Sequence, residues 1–226
     1  MFKDRVDAAR QLAATIAGRE LTQPLVLGIP RGGMVVAAEL ARRLGVECDI
    51  VLSRKIRVPH DPEVAIGAVA ENGDVYFNES EAELNPLAEE WVHEEFRHEL
   101  EEIARRKELF RAVRAAAPIA GRTAIVTDDG VATGATMIAA LQAVAMQHPA
   151  ELIAAIPVAT PERLAAVRRW CDETRCLLTP QFFYAVGQFY QNFDQVTDEE
   201  VVELLRDASR RAAAASKSYG TPTTNL

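Results

Sequence analysis

Residues 124–136 read AIVTDDGVATGAT and predict a strand, a tight loop and the start of a helix. A short apolar run comes first, two adjacent carboxylates follow, and a glycine–threonine loop then leads into an apolar helical pattern from Met137. A strand that turns sharply into a helix gathers backbone N–H groups at the positive end of the helix dipole. The stretch therefore predicts an anion-binding loop at residues 130–136, which we call the second glycine loop.

The two carboxylates, Asp128 and Asp129, are named the twin acids here. They would repel a bare phosphate. They fit a ligand whose sugar hydroxyls donate hydrogen bonds to them, or a nearby cation, while the phosphate binds further along the loop. Gly130 and Gly134 would permit positive φ and a close approach of the backbone, and Thr133 adds a hydroxyl donor. An ordinary turn with an aspartate cap would explain one carboxylate but not the whole arrangement.

This segment resembles the PRPP-binding signature of the type I phosphoribosyltransferases (PRPP is phosphoribosyl pyrophosphate). It lacks the Gly-Lys-Ser/Thr of a Walker loop, the glycine spacing of a Rossmann fingerprint and the alternating acids of an EF-hand. The resemblance implies that Asp128 and Asp129 orient the ribose hydroxyls. It also implies that the 5-phosphate binds to Gly130, Val131, Ala132, Thr133, Gly134, Ala135 and Thr136.

A second strand, loop and helix lies earlier in the chain. The apolar run from Leu25 to Ile29 predicts a strand, and residues 30–33, the first glycine loop, precede a predicted helix from Met34 to Leu44. These residues fit either a second anion site or a plain tight turn with a solvated arginine. In the resembling family this loop binds the pyrophosphate of PRPP, which implies that role for Arg31, Gly32 and Gly33.

Residues 54–83 follow a predicted strand and have no clean period, so we expect an irregular or weakly β segment. A long insertion of this kind is typical of a functional lid or of disorder. Arg54 and Lys55 resemble the Arg-Lys pair that opens the mobile loop in the orotate branch of the family. The resemblance implies that they neutralise the leaving pyrophosphate, and the alternative is a solvated basic patch.

Residues 176–195 form the densest aromatic region, and we call them the hood after the family element that grips the nucleobase. The resemblance implies a base site that includes at least one of Phe182, Phe183 and Tyr184, although any single aromatic is more typical of packing. A long amphipathic helix is predicted from Asn85 to about Ala116, and another starts near Asp198. Residues 208–226 are predicted to be a flexible tail because they are rich in Ala and Ser, then in Gly, Thr and Pro.

Length and composition favour one α/β domain, residues 1–207, with a central, mostly parallel sheet between helices. The formal net charge of −8 in 226 residues argues against broad nucleic-acid binding and gives no support to a membrane-surface role. The start of the chain does not read as a signal peptide, and three cysteines without metal-ligand spacing predict reduced thiols in a cytoplasmic protein.

The resemblance implies an enzyme that moves ribose 5-phosphate from PRPP to a nitrogenous base, with a purine as a guess, and releases pyrophosphate. It implies Mg²⁺ that bridges substrate oxygens, with no direct protein ligand and the twin acids at one remove. A homodimer would suit the long helix. The alternative is a PRPP-sensing or nucleotide-sensing regulator on the same scaffold, which the acidic composition disfavours. A kinase-like P-loop enzyme is disfavoured by the missing lysine.

Overall fold

The structure, a computed structural model, describes residues 1–58, 61–73, 75–77 and 86–218. Its strands are β1 (Leu25–Gly28), β2 (Glu47–Ile50), β3 (Ser53–Val58), β4 (Asp61–Ala70), β5 (Val75–Phe77), β6 (Thr123–Thr127), β7 (Glu151–Val158) and β8 (Glu173–Leu178). Its α-helices are α1 (Arg5–Ile16), α2 (Gly32–Leu44), α3 (Pro86–Arg111), α4 (Ala135–Ala145), α5 (Pro161–Val167) and α6 (Asp198–Ser218).

The centre of the fold is a parallel sheet in the order β2-β1-β6-β7-β8. Its inner strands β1 and β6 are buried on both faces because helices cover both sides, whereas the edge strand β8 is half-buried. Leu12, Leu40 and Leu205 of α1, α2 and α6 pack on one face. Met137 and Leu164 of α4 and α5 pack on the other. The predicted α/β fold is confirmed.

The strand order places the two glycine loops side by side. β1 and β6 are neighbours, and Gly28, the last residue of β1, pairs with Thr127, the last residue of β6. The chain therefore leaves both strands at the same edge and at the same height. The sheet also reverses its winding between β1 and β6, and open α/β sheets bind their ligands outside the carboxyl ends of the strands at such a point.

The predicted lid, residues 54–83, is more regular than expected. β3, β4 and β5 form an antiparallel sheet whose backbone lies beside α3 and α4. Register shifts between Ile56 and Val58 interrupt the period of two that would have indicated a hairpin. Residues 59, 60, 74 and 78–83 of the predicted lid lie outside the described residues, and its closure over a ligand stays a prediction.

Two helix ends differ from the sequence-based expectation. α3 ends at Arg111 rather than near residue 116. α6 continues to Ser218, so the segment predicted to be flexible from residue 208 is helical as far as Ser218. Alanine has the highest helix propensity, which explains why an Ala-rich segment extends the helix. Residues 219–226 lie outside the described part of the chain. Among the described residues, no helix is long and apolar enough to cross a bilayer.

Candidate functional site

The two glycine loops meet at the twin acids. A Cβ added to Gly32 would lie 1.9 Å from Asp129 Oδ2, and one added to Gly33 would lie 2.8 Å from the Cα of Asp128 and the carbonyl oxygen of Thr127. The absence of a side chain at both positions thus lets the first turn of α2 pack directly on the backbone and side chains of the twin acids, a segment that we call the acid loop. The structure brings together the two loops that the sequence predicted to share a ligand.

Asp128 is half-buried, and hydrogen bonds within the site hold its carboxyl group. Its Oδ1 accepts a 2.8 Å hydrogen bond from the backbone N–H of Asp129, and the backbone of Gly33 provides another. Burial, followed by the negative charge of Asp129, raises the pKa of Asp128 well above its ordinary value. A Cβ added to Gly33 would lie 2.9 Å from Asp128 Oδ1, so the missing side chain brings α2 close to this carboxyl group, and the role of Gly33 in binding pyrophosphate stays a prediction.

Asp129 is held by residues that the sequence analysis did not identify. Arg5 Nε lies 2.8 Å from Asp129 Oδ2, and the Tyr190 hydroxyl donates a 2.6 Å hydrogen bond to the carbonyl oxygen of Asp129. Burial raises the pKa of Asp129, and the Arg5 guanidinium opposes the shift. Burial also raises the pKa of Tyr190 above its ordinary value. No local pattern could indicate these contacts, because Arg5 is 124 residues and Tyr190 is 61 residues from the acid.

The second glycine loop forms only part of the predicted anion cradle. The Val131 amide donates a 2.8 Å hydrogen bond to the Val158 carbonyl, and the Val131 side chain is buried in the core, so this amide is already bonded within the protein. The structure shows no intramolecular acceptor, among the described residues, for the N–H groups of residues 132–136. Thr133 is half-buried and Thr136 is exposed. Five amides at the start of α4 thus remain for an anion.

The two glycines of this loop have different roles. Gly134 has φ +92°, which only glycine adopts readily, and it caps α4. Gly130 is not among the positive-φ residues, so that part of the expectation is wrong. A Cβ added there would lie 2.6 Å from Cγ1 of Val186 in the hood. Gly130 therefore lets the hood approach the twin acids.

The charged residues of the first glycine loop and of the lid differ in their surroundings. Arg31 is exposed, follows a cis peptide bond after Pro30 and forms no salt bridge within the described part of the chain. Arg54 instead forms an ion pair with the buried carboxylate of Glu99 on α3. The backbone of Lys55 pairs with Ala68 in the antiparallel sheet. Arg54 thus has a structural partner that its predicted catalytic role did not anticipate.

The hood is ordered by one glutamine. Gln188 Oε1 accepts a 3.0 Å hydrogen bond from the Tyr184 amide, and its Nε2 donates to the Phe182 carbonyl over 3.1 Å. Phe182 is 78% exposed and Tyr184 is 91% exposed. Phe183 is half-buried and packs on Phe189, with ring centroids 5.2 Å apart. Two of the three aromatics predicted for a base site are therefore free to stack on a ligand, whereas Phe183 supports the hood.

The site contains hard oxygen donors that suit Mg²⁺. The residues that the structure describes contain no cluster of three His, Cys, Asp or Glu side chains able to hold a metal. The two half-buried carboxylates of Asp128 and Asp129 would suit an ion held chiefly by the oxygens of a ligand and by water. The donor set therefore agrees with an ion that arrives with a phosphorylated ligand.

Two grooves lie elsewhere on the described surface. One, of about 470 Å³, lies between the end of α2, the start of β2 and α6. The other, of about 630 Å³, runs along α6 beside Val35 and Leu109. Neither is lined by a predicted site residue, and the twin-acid site is instead the open edge where the two glycine loops and the hood converge.

Comparison with known proteins agrees with this geometry. The sequence profile of the phosphoribosyl transferase domain matches residues 2–194. The crystal structure of TT1426 from Thermus thermophilus has a TM-score of 0.86 and 41% identity, over 91% of this chain and 98% of that one. The Mycobacterium tuberculosis (strain H37Rv) protein named "Putative phosphoribosyl transferase Rv0571c" is 42% identical over 216 residues, which are 95% of this chain and 48% of that protein. The chain thus spans about half the length of the curated relatives it matches. A family match over most of its residues establishes that this chain belongs to the phosphoribosyl transferase domain family.

Proposed function

We propose that this protein moves ribose 5-phosphate from PRPP to a nitrogenous base and releases pyrophosphate. The observation that carries the proposal is the contact between the first glycine loop and the twin acids, in which Gly32 meets the carboxylate of Asp129 just before the second glycine loop. A donor that joins a phosphate, a ribose and a pyrophosphate matches, in order, the free amides of α4, the twin acids and the loop with Arg31. Dependence on Mg²⁺, a purine-like acceptor and a homodimer belong to the same proposal.

In this proposal the protein supplies positioning and charge rather than a covalent nucleophile. The amides of residues 132–136 hold the 5-phosphate, and Asp128 and Asp129 accept hydrogen bonds from the ribose hydroxyls. Arg31 and the Gly32 amide receive the pyrophosphate, whose charge increases as the bond to the sugar carbon breaks. Bound Mg²⁺ would supply further charge neutralisation on the leaving group.

The acceptor base would lie between the ribose and the hood. Val186 lies against Gly130, directly after the twin acids, which supports a base site between the hood and the proposed sugar site. Exposed Phe182 and Tyr184 offer two apolar ring faces for stacking. The lid, with Lys55, is proposed to close over PRPP and exclude the water that would hydrolyse it.

The experiment is a pyrophosphate-release assay with PRPP, Mg²⁺ and a panel of nucleobases. Asp128→Asn combined with Asp129→Asn should abolish turnover while the thermal transition persists, because asparagine keeps the shape but loses the charge. Asp207→Asn is the matched control, since Asp207 is half-exposed and pairs with Arg210 on α6. Wild-type turnover in the double variant would reject the proposal. PRPP binding by the wild type without release for any base would support a sensor instead.

A further inference from the structure

Helix α1 brings one arginine into the twin-acid site. Arg5 Nε lies 2.8 Å from Asp129 Oδ2, and its Nη1 donates a 2.8 Å hydrogen bond to the Asp194 carbonyl oxygen in the hood. Its guanidinium carbon lies 3.8 Å from the ring centroid of Phe193, also in the hood. The side chains of Arg5 and Asp129 are 11% and 15% exposed. A single guanidinium therefore joins the acid loop to the hood in a largely dry setting.

The same group borders the first glycine loop. A Cβ added to Gly32 would lie 3.0 Å from Arg5 Nε. The guanidinium thus contacts or adjoins three of the parts proposed to surround the ligand. The other arginine of α1, Arg10, pairs with Glu39 of α2 at 2.9 Å, away from the loops, and its side chain is half-exposed. The two arginines provide a natural comparison within one helix.

We infer that Arg5 is a positioning residue for Asp129 and for the hood, an inference that rests on the proposed function. Arg5 takes Oδ2 of Asp129, which leaves Oδ1 as the oxygen available for a ribose hydroxyl. The planar fork of an arginine donates in two fixed directions and can stack on a ring at the same time, which a lysine cannot reproduce. Arg5 also offsets one of two adjacent negative charges before an anionic donor enters.

Loss of the group should reduce catalysis more than substrate binding. A carboxylate displaced by about 1 Å can cost about 100-fold in rate, so we expect Arg5→Ala to lower kcat by about that factor. The amides proposed to hold the 5-phosphate belong to residues 132–136, which Arg5 does not contact, so KM for PRPP should change far less than kcat. The kcat of Arg5→Lys should lie between those of the wild type and Arg5→Ala, because lysine keeps the charge but lacks the planar fork of donors. Arg10→Ala should match the wild type.

Chemical rescue separates positioning from a purely structural role. Guanidinium at non-denaturing concentration should restore part of the kcat of Arg5→Ala and leave Arg10→Ala unchanged. If Arg5→Ala does not fold, Phe193→Leu serves instead, since it removes the stacked ring and retains the ion pair; it should lower kcat by a smaller factor. Equal kcat in the Arg5 and Arg10 variants, or a loss that guanidinium does not reduce, would overturn the inference.

A second measurement does not depend on turnover. Amide hydrogen exchange in the ligand-free protein should be faster in Arg5→Ala than in Arg10→Ala, both in peptides that cover residues 128–134 and in those that cover 186–194. Unchanged exchange in both regions would overturn the positioning role even if the enzyme is active. If the wild type turns over no base, the proposed function fails, and the exchange comparison still decides whether Arg5 fixes the acid loop and the hood.

Discussion

The close contact between Gly32 and Asp129 predicts that Gly32→Ala lowers both stability and activity. Gly32 is the first residue of α2, where alanine would normally favour the helix by up to about 1 kcal/mol. Here the added Cβ would lie 1.9 Å from Asp129 Oδ2, whereas Cβ atoms essentially never come closer than 3.0 Å to such an atom. The carboxylate must therefore move by about 1.1 Å, the difference between those distances.

That displacement has a cost in stability and in activity. It breaks the bond from Arg5 to Asp129, and hydrogen bonds to charged groups contribute about 1.5–3 kcal/mol. Less the gain in helix propensity of up to about 1 kcal/mol, the net loss is about 0.5–2 kcal/mol, or about 1–8 °C in Tm for a chain of this size. A shift of about 1 Å in an orienting group lowers kcat/KM by about 100-fold.

Thermal unfolding and pyrophosphate release measure the two effects. Gly121→Ala is the control, because Gly121 has φ +71° with no atom within 4 Å of an added Cβ. It should lose stability through backbone strain and keep its kcat/KM. In a double-mutant cycle, Gly32→Ala should cost less in the Arg5→Gln background, where the ion pair is already absent. Additive losses in that cycle, or Gly32→Ala with wild-type kcat/KM, would refute the reasoning.

Three further substitutions test the site. Arg31→Ala should weaken pyrophosphate inhibition by orders of magnitude, because an exposed cation is removed from the proposed pyrophosphate loop; an unchanged inhibition constant contradicts this role. Asp128→Asn should raise Tm at neutral and alkaline pH. The reason is that a carboxyl group whose pKa is raised in the folded state destabilises the protein as pH rises and the group ionises. The gain should vanish below the ordinary Asp pKa of about 3.9, and a gain independent of pH would refute it. Tyr190→Phe should lower the unfolding free energy in urea by about 1 kcal/mol, because it removes the 2.6 Å bond to Asp129; no change would show that this bond adds nothing.

The sequence was most informative where strand, loop and helix follow one another directly. The apolar run before Asp128 and the glycines after it predicted β6, the second glycine loop and α4, and the same pattern near Arg31 predicted β1 and α2. These features depend on contacts within about twenty residues, which local periodicity and turn chemistry record. The parallel sheet followed, because alternating strands and helices allow few other arrangements.

What the sequence could not predict depends on contacts between distant parts of the chain. No pattern in the sequence marked Arg5, and Tyr190 was one aromatic among many in the hood. Nothing local indicated that Glu99 would be buried against Arg54. Val131 was assigned to ligand binding because its neighbours suited it, and in the fold its amide donates to the Val158 carbonyl. Only the packed structure determines which amides remain free.

The twin acids are electrostatically unfavourable for the folded protein by itself. Burial raises the pKa values of both carboxyl groups and the charge of Asp129 raises that of Asp128 further, even though Arg5 and backbone hydrogen bonds partly offset the cost. Apolar residues of similar size would avoid that cost, so stability does not explain two adjacent acids here. A ligand that donates hydroxyl hydrogen bonds and arrives with a cation would relieve the repulsion on binding. In the proposed function, the same electrostatic cost that lowers the stability of the empty site would favour a sugar with its metal ion over a bare phosphate, which is the discrimination that a phosphoribosyl donor site requires.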